Sequence, residues 1–152
     1  MSEYASPILE KREPQAWDHR PITWSMFVRL LAWAKQAAQE EHVSIYLVGS
    51  AVTKGRPRDI DIGVRIPLAE FEERFSVTVP HDAESALEFL SHFGRSLAWH
   101  KMWGRLHTGA WGCTDGRRHV DLKIAPDVWW ADKPRLLLAS PESVSTDAAQ
   151  AQ

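Results

Sequence analysis

At 152 residues the chain has the length of one domain, enough to bury an ordinary core without disulfides or a structural metal. Its single cysteine, Cys113, excludes an intrachain disulfide and a Cys/His zinc framework, while the polar start MSEYASPILEKREPQ and short apolar runs predict a cytoplasmic protein with no membrane partner. A formal net charge of −2 argues against a main task of gripping long nucleic acid, which needs Lys and Arg to neutralise phosphates.

Residues 1–21 are polar and broken by Pro7, Pro14 and Pro21, which predicts an extended arm before a domain spanning 22–133. From Thr23 to Glu41, Trp24, Phe27, Val28, Leu31, Ala34 and Ala38 recur at helical spacing, so an amphipathic helix is expected with that stripe inward. Val43–Val48 is a short β-branched and aromatic run ending at Gly49, read as the first strand. Arg58–Ile66 alternates over its whole length, with Ile60, Ile62, Val64 and Ile66 on one face and Asp59, Asp61, Gly63 and Arg65 on the other. Pro67 can open a short helix through Phe75. A further helix is expected from Asp82 to Phe93, capped by Asp82, favoured by Glu84 in its first turn, with Ala83, Ala86, Leu87, Leu90 and Phe93 as its stripe and Gly94 at its end. Asp115-Gly116 reads as a hairpin turn joining strands Arg105–Gly112 and Arg117–Ile124, which would set Asp121 opposite Ala110. In the second arm Val120, Leu122 and Ile124 face the core, leaving Arg117, His119, Asp121 and Lys123 on the other face. Residues 134–152 are polar and aperiodic and are expected to form a flexible tail. The eight tryptophans lack regular spacing along a strand, which favours core and subunit-contact packing over base stacking.

Carboxylates at i and i+2 of a strand share a face, about 7 Å apart at their α-carbons. Asp59 and Asp61 meet this condition, and two such charges repel unless a cation lies between them; hard oxygen ligands suit Mg²⁺, which also takes substrate phosphate oxygens. Alone, Asp-Ile-Asp reads better as a solvated strand edge, where acidic residues are common. Upstream, however, Leu47-Val-Gly-Ser50 runs a strand out into Gly49-Ser50. The glycine allows close backbone approach to a phosphate, the serine hydroxyl can hydrogen-bond one, and free amides at the following turn favour an anion. Lys54, Arg56 and Arg58 in the connecting loop can steady phosphate charge or simply be solvated.

The stretch Leu47-Val-Gly-Ser-Ala-Val-Thr-Lys-Gly-Arg-Pro-Arg-Asp-Ile-Asp-Ile-Gly-Val64 resembles the signature of the DNA polymerase beta-like nucleotidyltransferase superfamily: a hydrophobic strand, Gly-Ser, a spacer, then Asp-x-Asp between hydrophobics. That family adds a third carboxylate on a later strand, which Asp121 in Val120-Asp-Leu-Lys-Ile124 matches. In size the chain looks like the minimal stand-alone nucleotidyltransferases, which include bacterial antitoxins that modify a partner toxin. The resemblance implies an α+β fold, a small mixed sheet with helices on one face. It implies a Mg²⁺-dependent enzyme, with two ions for which Mn²⁺ can substitute, held by Asp59, Asp61 and Asp121, and with the nucleoside triphosphate, such as ATP, held by Gly49, Ser50, Lys54 and Arg58. The nucleoside monophosphate passes to an acceptor hydroxyl on a small molecule, a protein or an RNA end. The competing reading is a non-catalytic, antitoxin-like module of the same fold that binds nucleotide or docks on a partner protein.

Overall fold

The computed structural model describes residues 21–54, 57, 59–114 and 118–141; within 83–93 it leaves the side chains of Ala83, Glu84, Leu87 and Leu90 undescribed. The expected N-terminal arm, apart from Pro21, therefore lies outside the described residues, as do Arg56, Arg58, Arg117 and the Asp115-Gly116 turn.

The chain opens with helix α1, Trp24–Glu41, whose N-cap Thr23 accepts a hydrogen bond from the Met26 amide at 3.1 Å and which closes at His42 in the left-handed region. Its buried row is Met26, Leu30, Ala34, Ala37 and Ala38, whereas Trp24 and Val28, expected inward, stay exposed. The i, i+4 row ending in alanines wins because small side chains let the helix lie close on the sheet, which two bulky residues do not.

Strand β1, Ser44–Val48, runs into the short helix α2, Ser50–Thr53, and then strand β2, Ile60–Ile66. Helices α3, Leu68–Phe75, and α4, Ala83–Phe93, follow, the first entered from Pro67 and the second capped by the Asp82 carboxylate, which accepts from the Ser85 amide at 2.7 Å. Helix α5 spans Leu97–Trp111, capped by Ser96. Here the sequence reading fails: Arg105–Gly112 is not a strand but lies almost wholly within α5. Its brief alternation is local, whereas Met102, Leu106 and Ala110 bury one face at a spacing of four over the longer window.

With no hairpin available, strand β3, Val120–Pro126, pairs with β2 in parallel, and α3, α4 and α5 form the crossover that parallel pairing requires. Asp121 therefore does not face Ala110; it stands level with Asp61. The expected flexible tail is corrected in part as well: Arg135–Ala139 forms strand β4, antiparallel to β1, and residues 142–152 lie outside the described set.

The fold is α+β, with a four-stranded mixed sheet in the order β3-β2-β1-β4. Ile45, Leu47, Ile60, Ile62, Val64, Leu122 and Ile124 project from one face into a single core, which Leu30 of α1, Phe71 of α3, and Met102 and Leu106 of α5 complete. Much of the aromatic content packs in this layer. Phe71, Phe75 and Phe93 meet ring to ring at about 5 Å, and Trp99, Trp103 and His107 stack along α5. No described helix is long and apolar enough to cross a membrane.

Candidate functional site

The face of the sheet opposite this core carries the polar side chains of the alternating strands. Its rows follow from the register: Arg135, Val48, Asp61 and Asp121 lie side by side on β4, β1, β2 and β3, and the next row holds Leu137, Tyr46, Gly63 and Lys123. Because paired strands lie roughly 4.8 Å apart, the parallel pairing sets two carboxylates on adjacent backbones. Asp59 sits in the bend just before β2, one step beyond Ile60, whose amide donates to the His119 carbonyl at 3.0 Å.

Asp61 is the electrostatic centre of this group. Burial pushes its carboxyl above the ordinary value; Lys123 and His119 pull the other way, and the like charges of Asp121 and Asp59 push it further up. An arrangement that disfavours its own charged form is one that a cation would relieve. Among the described residues no three His, Cys, Asp or Glu side chains close into a ready ligand set. The carboxylates of Asp59, Asp61 and Asp121 are hard oxygen donors, the type that serves Mg²⁺ when substrate phosphates supply the remaining ligands.

Gly49 is built against Asp61. Its φ of 65° and ψ of −144° lie in a region that side chains avoid, and a β-carbon there would stand 2.6 Å from the Asp61 carboxylate oxygen Oδ2. The turn from β1 into α2 is thus shaped to leave Asp61 its place. Gly49→Ala is expected to cost about 1–3 kcal/mol of stability and to displace the carboxylate. Urea denaturation measures the first effect, and a crystal structure of the variant the second.

Gly49, Ser50, Thr53 and Asp61 share a cavity of about 420 Å³ with Arg65, Lys123, Trp130 and Arg135. Of the expected site residues, Gly49, Ser50 and Asp61 line it, and Asp121 flanks it on β3. Lys54 is exposed and does not contribute to its wall, and Arg58 lies outside the described residues. Arg65 lies on the polar face that the alternation of β2 predicts, but its place in the cavity wall, like that of Trp130 and Arg135, is not among the sequence expectations. The available signal was a lone arginine two residues after a glycine in a strand otherwise made of Ile, Val and Asp.

No family model, curated protein or solved structure matches this chain.

Proposed function

We propose that the chain is a Mg²⁺-dependent nucleotidyltransferase that moves a nucleoside monophosphate from a nucleoside triphosphate to an acceptor hydroxyl and releases pyrophosphate. The observation that carries this reading is the level pairing of Asp61 and Asp121 on parallel strands, with the Gly49-Ser50 turn packed against Asp61. A solvated strand edge has no reason to bring a third carboxylate beside the Asp-Ile-Asp pair, nor to place a phosphate-compatible turn against it.

On this reading Asp59, Asp61 and Asp121 hold the ions, and Mg²⁺, or Mn²⁺ with the same ligand preference, supplies neutralisation of the triphosphate and a lowered pKa for the attacking hydroxyl. The chain's own residues position. The Ser50 hydroxyl and the Gly49 backbone meet the phosphates, and Lys123, one row from Asp61, adds positive charge where the leaving pyrophosphate develops negative charge. No covalent nucleophile is needed, and Cys113 is not placed to be one: it is buried, its thiol pKa is raised by that burial, and its sulfur donates to the Arg29 and Gly109 carbonyls. A cytoplasmic setting suits both the free thiol and the supply of triphosphate.

The test incubates purified protein with each of the four nucleoside triphosphates and Mg²⁺ and measures pyrophosphate release. Binding must also be cooperative. Mg²⁺ and triphosphate together are expected to raise the melting temperature more than the sum of their separate effects, by roughly 5–10 °C at a hundredfold excess over the dissociation constant. Equal melting temperatures with and without the pair would remove the reading. Tight triphosphate binding without turnover, on any acceptor tried, would instead favour the non-catalytic module.

A further inference from the structure

Arg65 is 4% exposed, yet no carboxylate pairs with it among the described residues. Its Nη1 donates to the Val64 carbonyl at 3.1 Å and to the Lys123 carbonyl at 2.6 Å, and the Trp130 ring lies over its Cζ at 5.2 Å. These contacts satisfy hydrogen bonds on one edge of the guanidinium but supply no opposite charge, and a buried charge without one is costly. Burial, then the nearby Arg135, lower its pKa to about 10, so it stays charged at neutral pH.

The surroundings deepen the imbalance. The cavity wall carries four cations, Arg65, Lys123, Lys133 and Arg135, against the single carboxylate of Asp61. Two backbone features hold the guanidinium at this wall. Gly63 gives it room, since a β-carbon there would stand 3.0 Å from Nη2 and 3.1 Å from Cζ, so the side chain folds back along β2 into the row of Tyr46 and Lys123. Trp130 caps it from a left-handed backbone conformation, φ 56°, which a bulky residue adopts only under strain. Strain, burial and unbalanced charge converge on one point, and an anion in the cavity would balance that charge.

We propose that Arg65, with Lys133 and Arg135 at the cavity rim, forms a phosphate-binding subsite in the cavity that Asp61 lines. The arginine fork offers the directed hydrogen bonds that phosphate oxygens accept, and the two exposed cations, Arg135 stacked at 4.3 Å over the Tyr46 ring and Lys133 beside it at the rim, add positive field. The phosphate has two possible sources, the polyphosphate tail of the nucleotide or a phosphate carried by the acceptor. The subsite goes beyond the transfer reading, because its charge argument holds whatever reaction the carboxylates support.

Calorimetric titration of the full chain with inorganic pyrophosphate, without divalent cation, tests it. Wild type is expected to bind in a salt-sensitive manner, and Arg65→Gln to weaken binding about tenfold or more. Because Arg65 is buried, circular dichroism and melting must accompany that variant. The surface pair Lys133→Gln with Arg135→Gln leaves the core untouched and is expected to weaken binding several-fold and flatten its salt dependence. A non-hydrolysable triphosphate that competes with pyrophosphate assigns the subsite to the nucleotide tail; one that binds beside it assigns the subsite to the acceptor. No binding by wild type at about millimolar pyrophosphate, or equal affinity in every folded variant, overturns the proposal. Failure of the transfer reading looks different: no nucleotide is turned over, while pyrophosphate binding persists and remains sensitive to these substitutions.

Discussion

Asp61→Asn is expected to abolish nucleotide transfer, by about a thousandfold or more, while making the metal-free protein more stable at neutral pH. Both effects have one cause. Burial, together with Asp121 and Asp59, outweighs the opposite pull of Lys123 and His119 and disfavours the charged form of Asp61, so the ionised carboxylate opposes folding in the metal-free protein. The sign follows from linkage: a carboxyl whose folded pKa is raised binds its proton more tightly in the folded state. Its stabilising contribution is full below the unfolded value and is lost as pH rises through the folded one. The melting temperature of Asp61→Asn should therefore exceed that of wild type at pH 7, with the gap closing as the pH falls through the carboxylate range. Adding Mg²⁺ and triphosphate should reverse the order, because only wild type has the ligand to gain from them. Melts at several pH values, with and without the pair, measure every arm. Wild-type turnover by this variant, or a lower metal-free melting temperature at pH 7, would contradict the assignment of Asp61 to the metal site.

What was legible in the sequence was whatever repeats at short range and is buried on one side. Ile60, Ile62, Val64 and Ile66 are all fully buried, so the alternation of β2 carried a true signal, and the positions of Asp61 and Arg65 on the opposite face came with it. Val120, Leu122 and Ile124 did the same for β3. The partner of β3 was not legible, because parallel pairing leaves no turn in the sequence and the residues that decide it lie on a strand some sixty positions away. Arg105–Gly112 shows the opposite error, a chance alternation inside a helix whose real period appears only when Met102 is counted with Leu106 and Ala110. Strand β4 hid for a third reason: Leu136 and Leu137 stay exposed, so Arg135–Ala139 has little burial pattern of its own and is a strand because β1 offers it an edge. In the candidate site, Gly49 and Asp61 were visible as residue types in order. The fold of Arg65 over Gly63 beneath Trp130 was not, since it depends on three segments meeting.

Asp121→Asn is expected to separate binding from turnover. On the proposed transferase reading Asp121 would hold the ion that activates the acceptor, and the register places it on β3, beside Asp61 but outside the wall that Gly49, Ser50 and Asp61 share. The triphosphate's own ion would keep its ligands on β2, so affinity for Mg²⁺ with a non-hydrolysable triphosphate should stay within a few-fold of wild type. The rate should fall by orders of magnitude, because a hydroxyl that is not deprotonated is a poor nucleophile however well it is placed. Stability should change little in the metal-free state, since Asp121 is half-buried and the removal of one like charge beside Asp61 offsets the loss of its own hydration. Calorimetry and a pyrophosphate-release assay on one preparation measure both quantities. Equal losses in affinity and rate would move Asp121 into the nucleotide's own metal site. An unchanged rate would remove it from the chemistry, and with it the level pairing on which the transferase reading stands.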